Sequence, residues 1–270
     1  MNYRHGYHAG NFADVVKHLA LVAILAHLKK KDTAFAVVDS HAGRGLYDLG
    51  GVEANKTGEA ESGIGHLRDL NGPMPDALAG YLALAREKEG FYPGSPLIAA
   101  KLLRPQDRLT AIEKHPDEFE RLKAALAPFR NAMAEQGDGY RRAVKLLPPP
   151  SRRGLVLIDP PFESADEFAM LAQAVREAWR KFATGIFLIW YPIKSRAEAD
   201  GFTGEILAAG MEKLLAIEVA VPAPEGKLGR AGLLAINPPY GFEAAMRACA
   251  AMIAPRLGAG IELRWLAGGE

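Results

Sequence analysis

The segment Asp159–Phe162, with the sequence Asp-Pro-Pro-Phe, carries the clearest chemical signal of the chain and follows the apolar run Leu155–Ile158. An exocyclic amine on adenine is a weak nucleophile because its lone pair is delocalised into the ring. Acceptors that hold its N–H groups as charge develops would assist its attack on a methyl group. The Asp159 carboxylate and the Pro160 carbonyl, held by two rigid prolines, can be those acceptors, and the ring of Phe162 can stack on a base. The segment predicts a methyltransferase that uses S-adenosylmethionine and acts on a planar nitrogen; the alternative is a proline turn after a buried strand.

A second segment, Asn237–Tyr240, has the same pattern after the apolar run Leu233–Ile236. Asp159 ends the fourth strand counted from Phe35. In a doubly wound order this fourth strand lies beside the first strand and therefore beside the cofactor. Asn237 ends a late strand, near the sheet edge or in an antiparallel part. We therefore predict a catalytic role for Asp159 and a structural turn at Asn237.

Acidic residues follow four predicted strands in succession: Asp39, Glu113, Asp138 and Asp159. Ligands of parallel sheets bind beyond the carboxyl ends of the strands, and a carboxylate after the second strand is the usual partner of a nucleoside ribose. Glu113 is thus the candidate for ribose. The alternative for each acid is that it only caps the following helix.

The loop after the first strand, Ala42–Gly45, is glycine-rich but does not contain the G-x-G-x-x-G pattern. A pyrophosphate requires close approach to a helix N-terminus, whereas S-adenosylmethionine has no phosphate. The shortened loop therefore favours a methyl donor over NAD.

Short apolar strands alternating with helices predict an α/β fold of Rossmann-like type, a doubly wound, mostly parallel sheet. We expect a single methyltransferase domain over residues 1–270, with a helical insertion at residues 46–93 after the first strand. Residues 11–30 are expected to form an amphipathic helix that is capped by Asn11, with Val15, Leu19, Val22 and Ala26 on one face.

The composition is that of a globular protein, with 270 residues, 49% of them hydrophobic, and a net charge of +1. A single cysteine, Cys249, excludes an internal disulfide and a thiolate metal cluster. The N-terminus lacks the apolar core of a signal peptide, and the run Leu19–Leu28 is too short to span a bilayer. We therefore expect a cytoplasmic protein with no membrane or metal partner, and a monomer.

The N-terminal sequence Tyr3–Asn11, together with Asp14 and Lys17-His18, resembles the opening of the RlmJ family, whose members are bacterial 23S ribosomal RNA adenine-N6 methyltransferases. The resemblance covers nearly the whole chain, through the motifs Tyr92–Pro96, Ser151–Gly154 and Trp190–Pro192. It implies S-adenosylmethionine as cofactor, 23S ribosomal RNA as substrate, and the adenine numbered 2030 as the target. Phe162 stands where tyrosine is frequent in the family, which removes no chemical role.

The resemblance also implies roles for particular residues. Glu113 would bind the cofactor ribose, Asp138 and Gly139 its adenine, and Asp159 would be both cofactor neighbour and catalytic acceptor. Contacts to the cofactor are implied for His18, His41 and Ser95, and contacts to the RNA for Tyr3, Arg4 and His5. From the residues alone, His18 could equally be a buried, hydrogen-bonded histidine, and Tyr3 and Tyr7 could pack on the surface.

Two basic stretches are candidates for contacts to RNA phosphates: residues 1–31, which include Lys17 and Lys29–Lys31, and residues 141–153, which include Arg152 and Arg153. The insertion at 46–93 is expected to help grip RNA. Three other functions stay open: a DNA adenine or protein glutamine methyltransferase, a dinucleotide-dependent oxidoreductase, and a non-catalytic RNA-binding protein.

Overall fold

The computed structural model describes residues 5–224 and 226–269. Eight strands form one sheet, in the order β10-β8-β9-β7-β6-β1-β4-β5, and β2 and β3 form a separate pair. The strands are β1 (Ala36–Asp39), β2 (Leu46–Asp48), β3 (Phe91–Pro93), β4 (Arg108–Glu113), β5 (Ala132–Gln136), β6 (Gly154–Ile158), β7 (Ile186–Pro192), β8 (Leu214–Ala220), β9 (Arg230–Ile236) and β10 (Gly260–Ala267).

Helices cover both faces of the sheet, and two hydrophobic clusters, one on each face, form the core. The α-helices are α1 (Phe12–Leu28), α2 (Val52–Thr57), α3 (Glu59–Ser62), α4 (Asp76–Ala85), α5 (Ser95–Leu102), α6 (Pro116–Leu126), α7 (Gly139–Lys145), α8 (Glu167–Lys181), α9 (Arg196–Ala208) and α10 (Phe242–Leu257); 3-10 helices cover His5–Tyr7 and Ile64–Leu67.

The expected Rossmann-like architecture is confirmed. Strands β7, β6, β1, β4 and β5 are parallel, because each neighbouring pair among them has parallel register. The rest of the sheet departs from the parallel arrangement, since β9 runs antiparallel to β7 and to β8, and β10 runs antiparallel to β8. The parallel part places five carboxyl ends at one edge, which is where ligands of such sheets bind.

Helix α1 begins as predicted, since the Asn11 side chain accepts hydrogen bonds from the N–H groups of Ala13 and Asp14. The predicted amphipathic character is wrong. Fifteen of its seventeen residues are buried, because α1 packs against α4, α5 and α10 as well as the sheet. Ala26, expected on the buried face, is exposed. A helix enclosed on all sides carries apolar residues around its whole circumference, so the spacing of its apolar residues does not identify one buried face.

Residues 46–93 begin and end with the antiparallel pair β2–β3, in which Leu46 pairs with Pro93. Between these strands lie α2, α3, a 3-10 helix and α4. Leu78 and Tyr81 of α4 are fully buried in the same cluster as the residues of α1. This segment therefore supports the helix whose first turns lie at the candidate site. No helix in the described part of the chain has the length and apolarity to cross a membrane.

Candidate active site

The acids predicted at strand ends come together at one edge of the sheet. Asp159, Asp39, Glu113 and Asp138 follow or end β6, β1, β4 and β5, which are consecutive neighbours in the sheet. Their arrangement as a single rim is confirmed. Asp39 differs from the others because it is 1% exposed and accepts a hydrogen bond from the Ser95 hydroxyl at 2.7 Å, which places it beneath the surface of the site.

A cavity of about 320 Å³, the first cavity, opens at this rim. Each of the seven residues expected to contact the cofactor lines it: His18, His41, Ser95, Glu113, Asp138, Gly139 and Asp159. They come from α1, from the first residue of α5 and from the carboxyl ends of β1, β4, β5 and β6. Residues that range from position 18 to position 159 of the sequence therefore meet around one space.

Glycines allow the backbone to approach closely around the first cavity. Gly43 and Gly45 have φ values of 63° and 81°, in the left-handed region that favours glycine. A Cβ atom at Gly139 would lie 2.1 Å from the carbonyl oxygen of Ser40 and 2.7 Å from Nε2 of His41. The start of α7 can therefore pack against the loop after β1 only because residue 139 has no side chain.

The carboxylate of Glu113 is oriented by backbone groups on two loops. Its Oε2 accepts from the N–H of Gly43 at 2.9 Å, and its Oε1 accepts from the N–H of His115 at 2.7 Å. Burial raises the pKa of Glu113 although these hydrogen bonds oppose the shift. Since a carboxylate oxygen has more than one acceptor position, each oxygen can still accept from a ribose hydroxyl.

Asp138 is the N-cap of α7, where it accepts from the N–H of Arg141 at 3.2 Å, so the capping alternative is observed at this residue. Its other oxygen lies 3.3 Å from the ammonium of Lys114. Burial would raise the pKa of Asp138, but these two partners outweigh it and lower the pKa. Asp138 therefore caps a helix and also presents a carboxylate to the cavity.

His18 ends a buried chain of hydrogen bonds that begins in the segment 46–93. The hydroxyls of Tyr81 and Tyr92 are 3.0 Å apart, and the Tyr92 hydroxyl lies 2.7 Å from Nδ1 of His18. Among the described residues Tyr81 has only Tyr92 as a partner, so Tyr81 donates to Tyr92 and Tyr92 donates to His18, since a buried O–H without an acceptor is costly. The ring proton of His18 is thereby assigned to Nε2. Burial lowers the pKa of His18 to about 3, so the ring is neutral.

Lys17 is a site residue that the sequence interpretation missed. It is 3% exposed, and its Nζ donates to Oδ1 of Asp14 at 2.7 Å and to Oδ2 of Asp159. Burial would lower the pKa of Lys17, but the two carboxylates raise it. Its assignment to an RNA-facing basic stretch is therefore wrong. An acid and a lysine three residues apart within an apolar run could have indicated a buried ion pair.

A second cavity, of about 360 Å³, lies on the other side of Asp159. Asp159, Pro161, Lys17 and His5 line both cavities, so the Asp159 carboxylate stands at the boundary between them. Pro160, the other predicted acceptor, is buried and contributes to the lining of neither cavity.

Two aromatic residues form an apolar wall of the second cavity. Phe162 adopts a φ of 48°, and its ring makes an edge contact with Trp190 at 5.8 Å between centroids. The ring of Phe168 contacts Phe162 from another side, at 4.8 Å. Phe162 thus lines the second cavity as a stacking residue would. The sequence identified Trp190 only as part of a family motif and gave it no role in the site.

Of the three residues expected to contact RNA, Tyr3 and Arg4 lie outside the described residues. His5 lines both cavities, and its Nε2 is 2.9 Å from Oδ2 of Asp14. Its ring also makes an edge contact with Tyr47, at 5.2 Å between centroids. His5 therefore connects the N-terminal segment to the buried acid that also binds Lys17.

The position predicted for Asn237 is confirmed. It follows β9, which is antiparallel to β7, and its neighbour Ile236 pairs with Phe187 near the start of β7. Asn237 therefore lies at the edge opposite Asp159. Its side-chain amide donates to the carbonyls of Ala183 and Gly185, both at 2.8 Å, and so closes a turn.

Several of the basic residues expected to contact RNA phosphates, Arg153 and Lys29–Lys31 among them, lie at that opposite edge. Arg153 precedes β6 and donates to the carbonyls of Leu28 and Thr33. Because β6 spans five residues, on the order of 17 Å, Arg153 is separated from Asp159 by the length of the strand. Residues 29–31 follow the far end of α1, where Arg104 donates to the carbonyl of Lys31 at 2.8 Å. The expectation that these residues form a basic rim beside the site is wrong.

Comparison with known proteins places this geometry in a family. Residues 32–267 match a family model described as "Ribosomal RNA large subunit methyltransferase D, RlmJ". The ribosomal RNA large subunit methyltransferase J of Haemophilus influenzae is 40% identical over 255 residues, which cover 92% of this chain and 90% of that protein. The protein of the same name from Escherichia coli is 39% identical, with 91% and 90% covered.

A crystal structure of a Legionella pneumophila protein has the same fold. Its TM-score to this chain is 0.88 at 30% identity, and the match covers 96% of this chain and 98% of that one. The similarity therefore includes the parallel sheet, its antiparallel extension and most of the connecting helices.

Proposed function

Because the chain belongs to the RlmJ family of ribosomal RNA large subunit methyltransferases, we propose that it transfers a methyl group from S-adenosylmethionine to the N6 amine of an adenine in 23S ribosomal RNA. The observation that carries this proposal is the position of Asp159 between two cavities. The first cavity would hold the cofactor and the second the target base, so the two reactants would meet at one carboxylate.

The residues of the first cavity fit a nucleoside cofactor that carries a positive charge. Glu113 offers its carboxylate to the ribose hydroxyls, and Asp138 and Gly139 line the wall proposed for the adenine. When bound, S-adenosylmethionine supplies an electrophilic methyl group on a positively charged sulfur. Burial lowers the pKa of His18 to about 3 and that of His41 to about 4. Both rings are therefore neutral near pH 7 and do not repel a cation.

Asp159 is suited to accept the N–H of the target amine. Its Oδ2 is held by Lys17, whereas its Oδ1 has no hydrogen-bond partner within residues 5–224 and 226–269. In our proposal Oδ1 accepts one N–H of the amine and favours the tetrahedral geometry of the attacking nitrogen; the Pro160 carbonyl is not assigned to the other N–H, because Pro160 lines neither cavity. Phe162 and Trp190 offer aromatic surface to an adenine that has left its helix.

We further propose a cytoplasmic monomer in which residues 46–93 act as a helical subdomain that contacts RNA. Deleting this segment is an unsuitable test, because Tyr81 and Tyr92 within it support His18. Exposed residues such as Lys56 should be replaced instead, and weaker RNA binding with unchanged cofactor affinity is expected. Light scattering of the purified protein tests the monomer.

The proposed function is tested by incubating the protein with labelled S-adenosylmethionine and unmodified 23S ribosomal RNA, followed by nucleoside analysis. Label is expected in N6-methyladenosine and is expected to be absent with Asp159→Asn, a nearly isosteric change. Parallel incubations with duplex DNA and with a release-factor-like protein address the other methyl acceptors. Label on another nucleoside, or on DNA or protein alone, would overturn the assignment.

A further inference from the structure

The mouth of the second cavity carries two lysines that no part of the mechanism uses. Lys194 and Lys227 both line this cavity and are exposed. Within residues 5–224 and 226–269, neither ammonium group has a hydrogen bond or an ion pair. The third lysine of the lining, Lys17, is buried between two carboxylates instead.

The two lysines come from segments that are tied together. Lys194 follows β7, and Lys227 lies in the connection between β8 and β9. The N–H of Ile193 donates to the carbonyl of Arg230 at 2.9 Å, and the N–H of Val221 donates to the carbonyl of Gly229 at 2.8 Å. These hydrogen bonds hold the connection beside the end of β7. The backbone positions of the two lysines are therefore fixed relative to each other by the hydrogen bonding of the sheet.

The same two lysines border an outer cavity, of about 520 Å³, that adjoins the second one. Among the described residues that line the outer cavity, the charged ones are Lys194, Lys227 and Arg230, all positive. Glu225 lies outside the described residues. The acids of the second cavity have partners of their own, since Asp14 and Asp159 bind Lys17 and Glu59 accepts from His8 and Asn11. Burial would raise the pKa of Glu59, but the hydrogen bond from His8 and, more weakly, the charge of Lys227 lower it, so the acids inside compensate Lys227 only in part.

We propose that Lys194, Lys227 and Arg230 bind the phosphates of the RNA strand on either side of the target adenine. The inference rests on the proposed function, because it places that adenine in the second cavity. A nucleotide whose base reaches Asp159 has its sugar and phosphates at the mouth, where the two lysines are. The next phosphate along the strand then lies over the outer cavity. Each contact is electrostatic and independent of base sequence, and each releases counterions from the RNA.

The test compares Lys194→Gln/Lys227→Gln with the wild-type protein and with Lys213→Gln as a matched control. Lys213 is also exposed, but it precedes β8 and so lies at the opposite edge of the same pair of strands. The probe is a labelled fragment of 23S ribosomal RNA that the wild-type protein methylates. The dissociation constant is measured over a range of salt concentrations, and KM and kcat are measured for the same RNA.

The double variant is expected to bind the RNA at least tenfold more weakly, and the slope of log affinity against log salt should fall by about 0.7 for each lost phosphate contact. The kcat at saturating RNA, the cofactor affinity and Tm should be unchanged, as should all properties of Lys213→Gln. An unchanged RNA affinity and salt slope would overturn the inference. A defect seen only with ribosomal particles would also overturn it, because the surface would then bind a ribosomal protein. If the wild-type protein methylates no RNA, the proposed function fails instead.

Discussion

The ammonium group of Lys17 donates to Oδ2 of Asp159 and, at 2.7 Å, to Oδ1 of Asp14. One buried cation thus joins the first turns of α1 to the loop after β6. The contact occupies one oxygen of the catalytic candidate, whereas the proposed function assigns the other oxygen to the amine. The ammonium group also compensates the Asp14 carboxylate, whose charge burial would otherwise disfavour.

Replacing Lys17 by methionine should lower both stability and activity. Breaking a buried pair by removing one partner costs about 3–5 kcal/mol, so Tm should fall clearly, and kcat should fall at least 100-fold because Asp159 is no longer held. Lys17→Met/Asp159→Asn should recover part of the lost Tm without recovering kcat. A kcat within threefold of the wild-type value for Lys17→Met would contradict this role.

Tyr92→Phe should weaken the binding of the cofactor through His18. Without the Tyr92 hydroxyl, Nδ1 of His18 loses its donor. The ring proton is then no longer held on Nε2 and can also occupy Nδ1. Loss of one buried hydrogen bond costs about 1.4 kcal/mol, so the dissociation constant of S-adenosylmethionine should rise about tenfold. NMR of the His18 ring nitrogens should show a single tautomer in the wild-type protein and a mixture in the variant.

Tyr81→Phe is the matched control for that experiment, since Tyr92 can still donate to His18 at 2.7 Å. It should change cofactor affinity less than threefold. Equal effects of the two variants, or an unchanged tautomer in Tyr92→Phe, would show that the hydroxyl chain serves only stability.

Gly139→Ala should abolish cofactor binding. The added Cβ would lie 2.1 Å from the carbonyl oxygen of Ser40, a backbone atom that cannot rotate away. The start of α7 must then move out of the first cavity, and isothermal titration should detect no binding. Gly201→Ala in α9 has no atom within 4 Å of its new Cβ and should leave binding unchanged while raising stability by up to about 1 kcal/mol. Normal cofactor affinity in Gly139→Ala would refute this explanation of the glycine.

Asp39→Asn should stabilise the protein at alkaline pH more than at acidic pH. Burial raises the pKa of Asp39 to about 7 although Ser95 donates to it, and the charge of Asp159 adds to the rise. The folded state therefore holds the proton more tightly than the unfolded state. The stability that the protonated Asp39 gives the folded state is fully present below about pH 4 and is lost as the pH rises through about 7. The gain in Tm of the variant over the wild-type protein should be several degrees at pH 8 and small at pH 5; a gain that is independent of pH would contradict the raised pKa.

Asn237→Ala should affect mainly stability, whereas Asp159→Asn should affect mainly activity. Asn237→Ala removes two hydrogen bonds at 2.8 Å and replaces a residue with a φ of 51°. It should therefore lower stability by about 1–3 kcal/mol and leave kcat of the folded protein unchanged. Asp159→Asn should abolish methyl transfer and lower Tm less than Lys17→Met does, because Asp14 still pairs with Lys17. Loss of activity in a folded Asn237→Ala protein would mean that this turn contributes to catalysis.

The parallel strands and the N-cap of α1 were predictable because they depend on neighbours in sequence: apolar runs of three or four residues, and Asn11 before the helix. Strand β10 escaped prediction because it lies at the sheet edge and alternates charged residues such as Glu262 and Arg264 with apolar ones. Strands β2 and β3 have three residues each, too few to show a period.

The sequence by itself determined the chemistry. The Asp-Pro-Pro-Phe segment, the acids at strand ends and the N-terminal motif together indicated a methyl donor and an amine. Only the tertiary structure decided which charges are neutralised and which are exposed. Lys17 and Asp159 are 142 positions apart, and Lys17 and Lys194 carry the same side chain, yet one is buried between carboxylates and the other is exposed at the mouth of a cavity. The sequence shows the charge of a lysine, but its partner and its distance from water depend on residues that the folded sheet brings beside it.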